Sequence, residues 1–146
     1  MFTYRVINEH SALIELGAKE IPIAVSSITA NEFPSTLEYL LNYGGIIKLS
    51  RDDIEEILQD NSCKKGQFGI ICYEKASKSF ESADTLKWIG DNHPRSLCAF
   101  VEGDTTLSDA EKIVNKIKDT INPENLFLGP AGEVPTDIVK VYLLAF

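Results

Sequence analysis

Residues 96–129, SLCAFVEGDTTLSDAEKIVNKIKDTINPENLFLG, predict a strand, a helix and a second strand in succession. Isoleucine and valine recur at helical spacing through the middle of this stretch, and Asn122-Pro123 would end the helix. Ser108 and Glu111 have the spacing of a capping box at its start. The apolar runs on either side are typical of buried strands. A strand–helix–strand unit of this kind favours an α/β fold.

The alternation of strands and helices continues on both sides of this unit. The closing strand is apolar on both faces, which predicts a central position in the sheet. Ser50 precedes an amphipathic segment and would cap a helix whose first turns are acidic. The additional elements predicted here are strands at Ile46–Leu49, Gln67–Tyr73 and Ile138–Phe146, and helices at Ser50–Leu58 and Ser82–Ile89.

The first 44 residues carry a different pattern. Pro22 lacks a backbone donor, so we expect the run around it to lie at a sheet edge or to be irregular. Ser35 and Glu38 have capping-box spacing, which predicts a short helix that ends at Gly44. Three β-forming runs separated by polar turns predict a small β-meander, at Phe2–Ile7, Ala12–Leu16 and Ile21–Val25.

These elements together predict a single α/β domain spanning residues 1–146. A mixed sheet of four or more strands would carry helices mainly on one face. Residues 1–44 would form the meander and its short helix, and residues 45–146 the alternating core. A chain of 146 residues with 44% hydrophobic content can bury enough apolar surface to fold without disulfides or metal.

The composition excludes several classes of partner. With 22 acidic and 14 basic residues, the net charge is −8, which disfavours binding to the phosphate backbone of nucleic acid. No run approaches the ~18 apolar residues that span a bilayer, and the first residues lack the pattern of a signal peptide, so no membrane association is expected. The three cysteines form no Cys-x-x-Cys pair, which fits the reducing cytoplasm. We expect Cys63, beside two lysines, in a solvated loop.

Five short segments carry a family resemblance. In chain order they are IIKLSRDDI (46–54), GQFGII (66–71), AEKIV (110–114), NPENLFLG (122–129) and VKVYLLAF (139–146). Their order and spacing resemble the C-terminal domain of the FtsZ/tubulin family. The resemblance implies the fold of that domain. The GTPase half of the family, with its glycine-rich phosphate loop, has no counterpart here, so we expect no GTPase activity and no nucleotide cofactor.

The first of these segments is similar to the synergy loop of FtsZ and its following helix. Lys48 and Ser50 replace the asparagine and the first aspartate of that loop, and Asp53 matches its second carboxylate. The resemblance therefore implies a contact surface without catalysis, although an acidic cluster is also expected from helix-start electrostatics alone. The candidate partner-binding residues are Lys48, Ser50, Arg51, Asp52, Asp53 and Glu56.

Three functions remain open from the sequence. The first is a non-catalytic protein-interaction module that docks on an FtsZ/tubulin-like filament or self-associates, for example as a homodimer. The second is a small ligand-binding protein or enzyme with a site between subunits, for which only Arg5, Arg51 and Arg95 are available as anion anchors. The third is an acidic regulatory or immunity-like protein that covers a basic partner. His10 and His93 lie in polar turns with no nucleophile beside them, so no catalytic residue, cofactor or metal site is assigned.

Overall fold

One mixed sheet organises the computed structural model, which describes residues 1–42, 49–81, 83–132 and 137–146. The strands in these residues are β1 (Phe2–Asn8), β2 (Ser11–Leu16), β3 (Lys19–Val25), β4 (Gly66–Glu74), β5 (Ser79–Glu81), β6 (Ser96–Glu102), β7 (Asn125–Gly132) and β8 (Ile138–Ala145). The helices are α1 (Phe33–Asn42), α2 (Arg51–Gln59), α3 (Ala83–Gly90) and α4 (Leu107–Thr120). The predicted α/β class and the N-terminal meander are confirmed. The strand predicted at Ile46–Leu49 lies outside the described residues except for Leu49, which is not in a strand.

The strand order is β1-β2-β3-β4-β8-β6-β7, with β5 paired to β4 beside this path. The meander β1-β2-β3 is antiparallel, and β3 joins β4 in parallel. The strand β8 runs antiparallel to both β4 and β6, and β7 pairs in parallel with β6. The predicted central position of β8 is therefore confirmed.

The helices cover both faces of the sheet, two on each, whereas we expected them mainly on one face. The reason is the sequence of the central strands, which bury alternate side chains on opposite sides. Among the described residues, the first core receives six buried helix residues, Phe33, Leu37, Leu40 and Leu41 from α1 and Ile54 and Leu58 from α2. The second core receives five buried ones, Leu86 and Ile89 from α3 and Ile113, Ile117 and Ile121 from α4 and its end.

The strand that contains Pro22 is an internal strand with a continuous register, and not the edge strand or irregular segment we expected. Pro22 pairs with Leu13 of β2, while the pairing of β3 with β4 begins only at Ile23. The missing proline donor is tolerated because it precedes the segment that pairs with β4.

Two helix starts also differ from the predicted capping boxes. The helix α1 begins at Phe33, two residues before Ser35, so Ser35 lies within the helix. The helix α4 is capped by Thr106, whose side chain accepts a hydrogen bond from the backbone N–H of Asp109, and not by Ser108. Threonine and serine are both good N-cap residues, and local spacing alone does not choose between them.

Candidate functional site

The start of α2 is built by the predicted capping residue. Ser50 is the N-cap, and its hydroxyl accepts a hydrogen bond from the backbone N–H of Asp53. The Asp53 carboxylate accepts hydrogen bonds from the backbone N–H and the hydroxyl of Ser50, at 2.8 and 2.9 Å. Asp53, which the sequence predicts to correspond to the second carboxylate of the synergy loop, therefore completes the capping box of its own helix.

Arg51, the first residue of α2, connects this helix to β1 and α1 through hydrogen bonds. Its guanidinium donates to the Glu38 carboxylate of α1 and, at 2.8 Å, to the Phe2 carbonyl of β1. It also lies over the Phe2 ring, 4.2 Å from the ring centroid, in cation–π contact. The Tyr4 hydroxyl donates to the same Glu38 oxygen at 2.8 Å. We call Phe2, Tyr4, Glu38 and Arg51 the Arg51 cluster.

The charges in this cluster reinforce each other. The hydrogen bond from Arg51 holds the pKa of Glu38 below its usual value, although partial burial opposes this effect. The hydrogen bond to Glu38 in turn raises the pKa of Arg51. Burial raises the pKa of Tyr4, and the Glu38 carboxylate beside its hydroxyl raises it further. At neutral pH the cluster therefore contains an ion pair and a protonated tyrosine that donates to it.

Two carboxylates of α2 point away from the protein. Asp52 and Glu56 are exposed and stand four residues apart, which makes them neighbours on the helix surface. Glu55 between them turns inward, where it accepts a hydrogen bond from the Phe2 N–H at 3.1 Å and pairs with the amino terminus. We call Asp52 and Glu56 the acidic face of α2.

The six candidate residues thus have different surroundings. Lys48 lies outside the described residues. Ser50 and Asp53 bind each other, and Arg51 binds Glu38. Asp52 and Glu56 face solvent without an ion pair among the described residues. The residues that sequence reasoning missed are Phe2, Tyr4 and Glu38, which lie far from Arg51 along the chain and share no motif with it.

The arginines considered as anion anchors all have carboxylate partners. Arg5 pairs with Glu15 of the neighbouring strand at 3.2 Å. Arg95 pairs with Glu124 at 2.9 Å, and Arg51 belongs to the cluster described above. Within the described residues, no three histidine, cysteine, aspartate or glutamate side chains come together as a metal site would need.

The expectation for Cys63 is wrong. The residue is 5% exposed and belongs to the first core, so it does not lie in a solvated loop. Burial raises the pKa of its thiol, despite the attraction of nearby Lys19. The two adjacent lysines therefore do not make Cys63 a reactive thiolate.

Comparisons with known proteins give a match in structure. No family model and no curated protein matches the chain. An FtsZ dimer from M. jannaschii, solved empty, is 19% identical, with a TM-score of 0.51 over 80% of this chain and 36% of that one. CetZ from Methanosaeta thermophila strain DSM 6194 is 10% identical, with a TM-score of 0.49 over 80% of this chain and 35% of that one.

The match to the FtsZ structure defines the class of fold. The chain has an FtsZ/tubulin-like fold, which confirms at this level the resemblance seen in the short sequence segments. It spans about a third of the length of each of these two proteins. No helix in the described part of the chain is long and apolar enough to cross a membrane.

Proposed function

We propose that this chain is a non-catalytic protein-interaction module that docks, through the acidic face of α2, on a basic surface of an FtsZ/tubulin-like filament. The observation that carries the proposal is the pair of exposed carboxylates, Asp52 and Glu56, on a helix that is fixed at both ends. The similarity in fold to an FtsZ dimer supports a filament as the partner. In this function residues 1–146 act as one domain in the cytoplasm, where the three free cysteines stay reduced.

Both ends of α2 are held by hydrogen bonds to other parts of the chain. Binding therefore requires little further ordering of the helix, which lowers the entropy cost of docking. The capping box and the Arg51 cluster hold the start of α2. At the other end, the ammonium group of Lys19 donates to the carbonyls of Leu58 and Asp60, at 2.6 and 2.8 Å. A cation at this position also complements the helix dipole. Asp52 and Glu56 are therefore presented at a constant separation.

The same surface disfavours self-association through α2. In a twofold dimer built on this helix, the acidic face of one copy would meet that of the other, and like charges placed opposite each other cost free energy. The net charge of −8 adds to this repulsion. A basic partner surface is attracted both by the acidic face of α2 and by the negative net charge of the chain.

The first experiment is co-sedimentation of the purified chain with FtsZ filaments from the same organism. We expect the double variant Asp52→Lys/Glu56→Lys to lower the affinity by about tenfold or more, and added salt to weaken wild-type binding, because exposed charges steer and hold the complex. The urea melting curve should change little, since both side chains are exposed.

A matched control separates the local surface from the overall charge. Asp84→Lys/Asp91→Lys makes the same change in net charge with two exposed residues in and after α3. It should retain most of the wild-type binding. An equal loss in both double variants, or no binding of the wild-type chain to the filaments, would contradict the proposal.

A further inference from the structure

The strand β7 lies at one edge of the sheet that the described residues form. In the described part of the chain it pairs only with β6, in parallel. The N–H of Asn125 donates to the carbonyl of Arg95 at 3.0 Å, so it points toward the β6 side. Backbone groups alternate in direction along a strand, so Leu126 and Leu128 direct their N–H and C=O groups away from β6. Among the described residues no hydrogen bond occupies these groups, so they can pair with a further strand.

The composition of β7 does little to prevent this edge from pairing with another strand. Sheet edges are usually guarded by charged side chains, and none of the eight residues of β7 is charged. Pro130 has the same backbone direction as Leu128 but has no N–H, so it limits additional pairing to the segment before it. The opposite edge of the sheet, β1, carries Arg5, whose side chain pairs with Glu15 and Glu20.

An apolar cavity of about 330 Å³ opens beside this edge, between β7, the end of β6 and α4. Leu128 is 42% exposed at its wall. The apolar residues that line the cavity are Val101, Ala110, Ile113, Val114, Leu128 and Pro130. A volume of this size admits aliphatic side chains of a strand that lies along β7.

The charge at the cavity indicates which segment would fit. Asp104 belongs to the cavity lining. This carboxylate beside an apolar cavity, on a chain with a net charge of −8, favours an aliphatic side chain flanked by lysine or arginine. A second copy would bring β7, which has no basic residue, to this position.

We propose that β7 and this cavity form a docking groove for an extended segment of a partner protein, in which aliphatic residues are flanked by basic ones. The segment would add to the sheet beside β7, with backbone hydrogen bonds to Leu126 and Leu128 and an aliphatic side chain in the cavity. This groove is separate from the acidic face of α2 and does not depend on the function proposed for it.

Amide hydrogen exchange of the full chain tests the groove, with the synthetic peptide acetyl-KTVTK-amide as the probe, whose central valine and two lysines lie on the same face of an extended strand. We expect the peptide to slow exchange of the Leu126 and Leu128 amides by about tenfold or more, because both become hydrogen-bonded. The Phe127 amide faces β6 and should be protected with or without peptide. The charge-reversed peptide acetyl-ETVTE-amide should bind about tenfold more weakly.

Two variants complete the test. Leu128→Lys should abolish the protection, while Val6→Lys, on the opposite edge strand, should leave it unchanged. Asp104→Lys leaves the apolar lining intact and should lower the affinity for the basic peptide but not for the acidic one. It replaces Leu128→Lys as the test if that variant does not fold. Unchanged exchange at millimolar peptide would overturn the proposal. Protection that rises with protein concentration in the absence of peptide would also overturn it, since the groove would then be filled by a second copy.

Discussion

At the scale of single residues, Arg51 shows how one side chain can connect three elements. It touches Glu38 of α1 and Phe2 of β1 while beginning α2. Its guanidinium is planar, so it can donate hydrogen bonds in its own plane while its flat face stacks on the Phe2 ring. An ammonium group cannot do both. The cost of removing it should therefore include lost packing as well as a lost ion pair.

We expect Arg51→Ala to lower the free energy of unfolding by about 1 to 2 kcal/mol, because two charged hydrogen bonds and a ring contact are lost at a half-buried site. Arg5→Ala removes two exposed ion pairs, to Glu15 and Glu20, and should cost less than about 0.5 kcal/mol. Urea melts of both variants measure the difference. Equal losses would mean that the Arg51 cluster contributes no more than a surface ion pair.

The carboxyl groups of Glu38 and Asp109 predict a loss of stability in acid. The hydrogen bond from Tyr73, at 2.9 Å, is the main cause of a lowered pKa of Asp109, as the bond from Arg51 is for Glu38. A carboxyl with a lower pKa in the folded chain stabilises the fold above the unfolded pKa, near about 4, and this contribution is lost as the pH falls through the folded value. The urea midpoint should therefore fall between about pH 5 and pH 3.

Neutral variants test the assignment of this acid sensitivity. Glu38→Gln and Asp109→Asn should each be less stable than wild type near neutral pH, and each should lose less stability on acidification. Urea midpoints measured across the pH range give, for each variant, the slope of stability against pH. A slope equal to that of the wild-type chain in both variants would show that other carboxyl groups are responsible.

At the scale of elements, α4 follows most directly from its sequence. The helical spacing of isoleucines predicted its buried side, and Ile113 and Ile117 are 1% and 0% exposed. The start of α4 was less predictable. Asp109 is 6% exposed and bonds to Tyr73, 36 residues away, so the choice of Thr106 over Ser108 as the cap is connected to tertiary packing.

The two faces of α4 give a prediction at this scale. Ile117→Ala should cost about 2 to 5 kcal/mol because it opens a cavity in the second core. Lys116→Ala, one residue away on the exposed side, should stay within about 0.5 kcal/mol of wild type. Urea melts of the two variants measure both values. Similar costs would contradict the assignment of Ile117 to the core.

The candidate site was predictable only where it depends on local pattern. The capping role of Ser50 and the outward direction of Asp52 and Glu56 follow from helix periodicity and N-cap preference. The partner of Arg51 does not, because Glu38 lies on another helix and the packing of α1 against α2 decides the contact. For the same reason, the strand pattern predicted a buried sheet without indicating which helix covers which face.

At the scale of the whole molecule, the sheet separates two cores, and each of the four described helices contributes to one of them. The N-terminal meander and the alternating segment meet in the first core, which joins Ile14 and Phe33 with Ile54 and Phe68. The fold class could be predicted because the order and spacing of the short apolar segments indicate the order of the strands and helices. The partner of the acidic face cannot be derived from those segments, since charge on a surface shows the sign of a partner and not its identity.

The central strand β8 has a consequence for synthesis of the chain on the ribosome. It follows every other described element in sequence, yet it separates β4 from β6 and supplies Leu143 to one core and Leu144 to the other. A nascent chain therefore exposes two unfinished apolar surfaces until β8 has left the exit tunnel. Folding of the sheet therefore waits for β8, and a chain stalled before β8 is a substrate for chaperones.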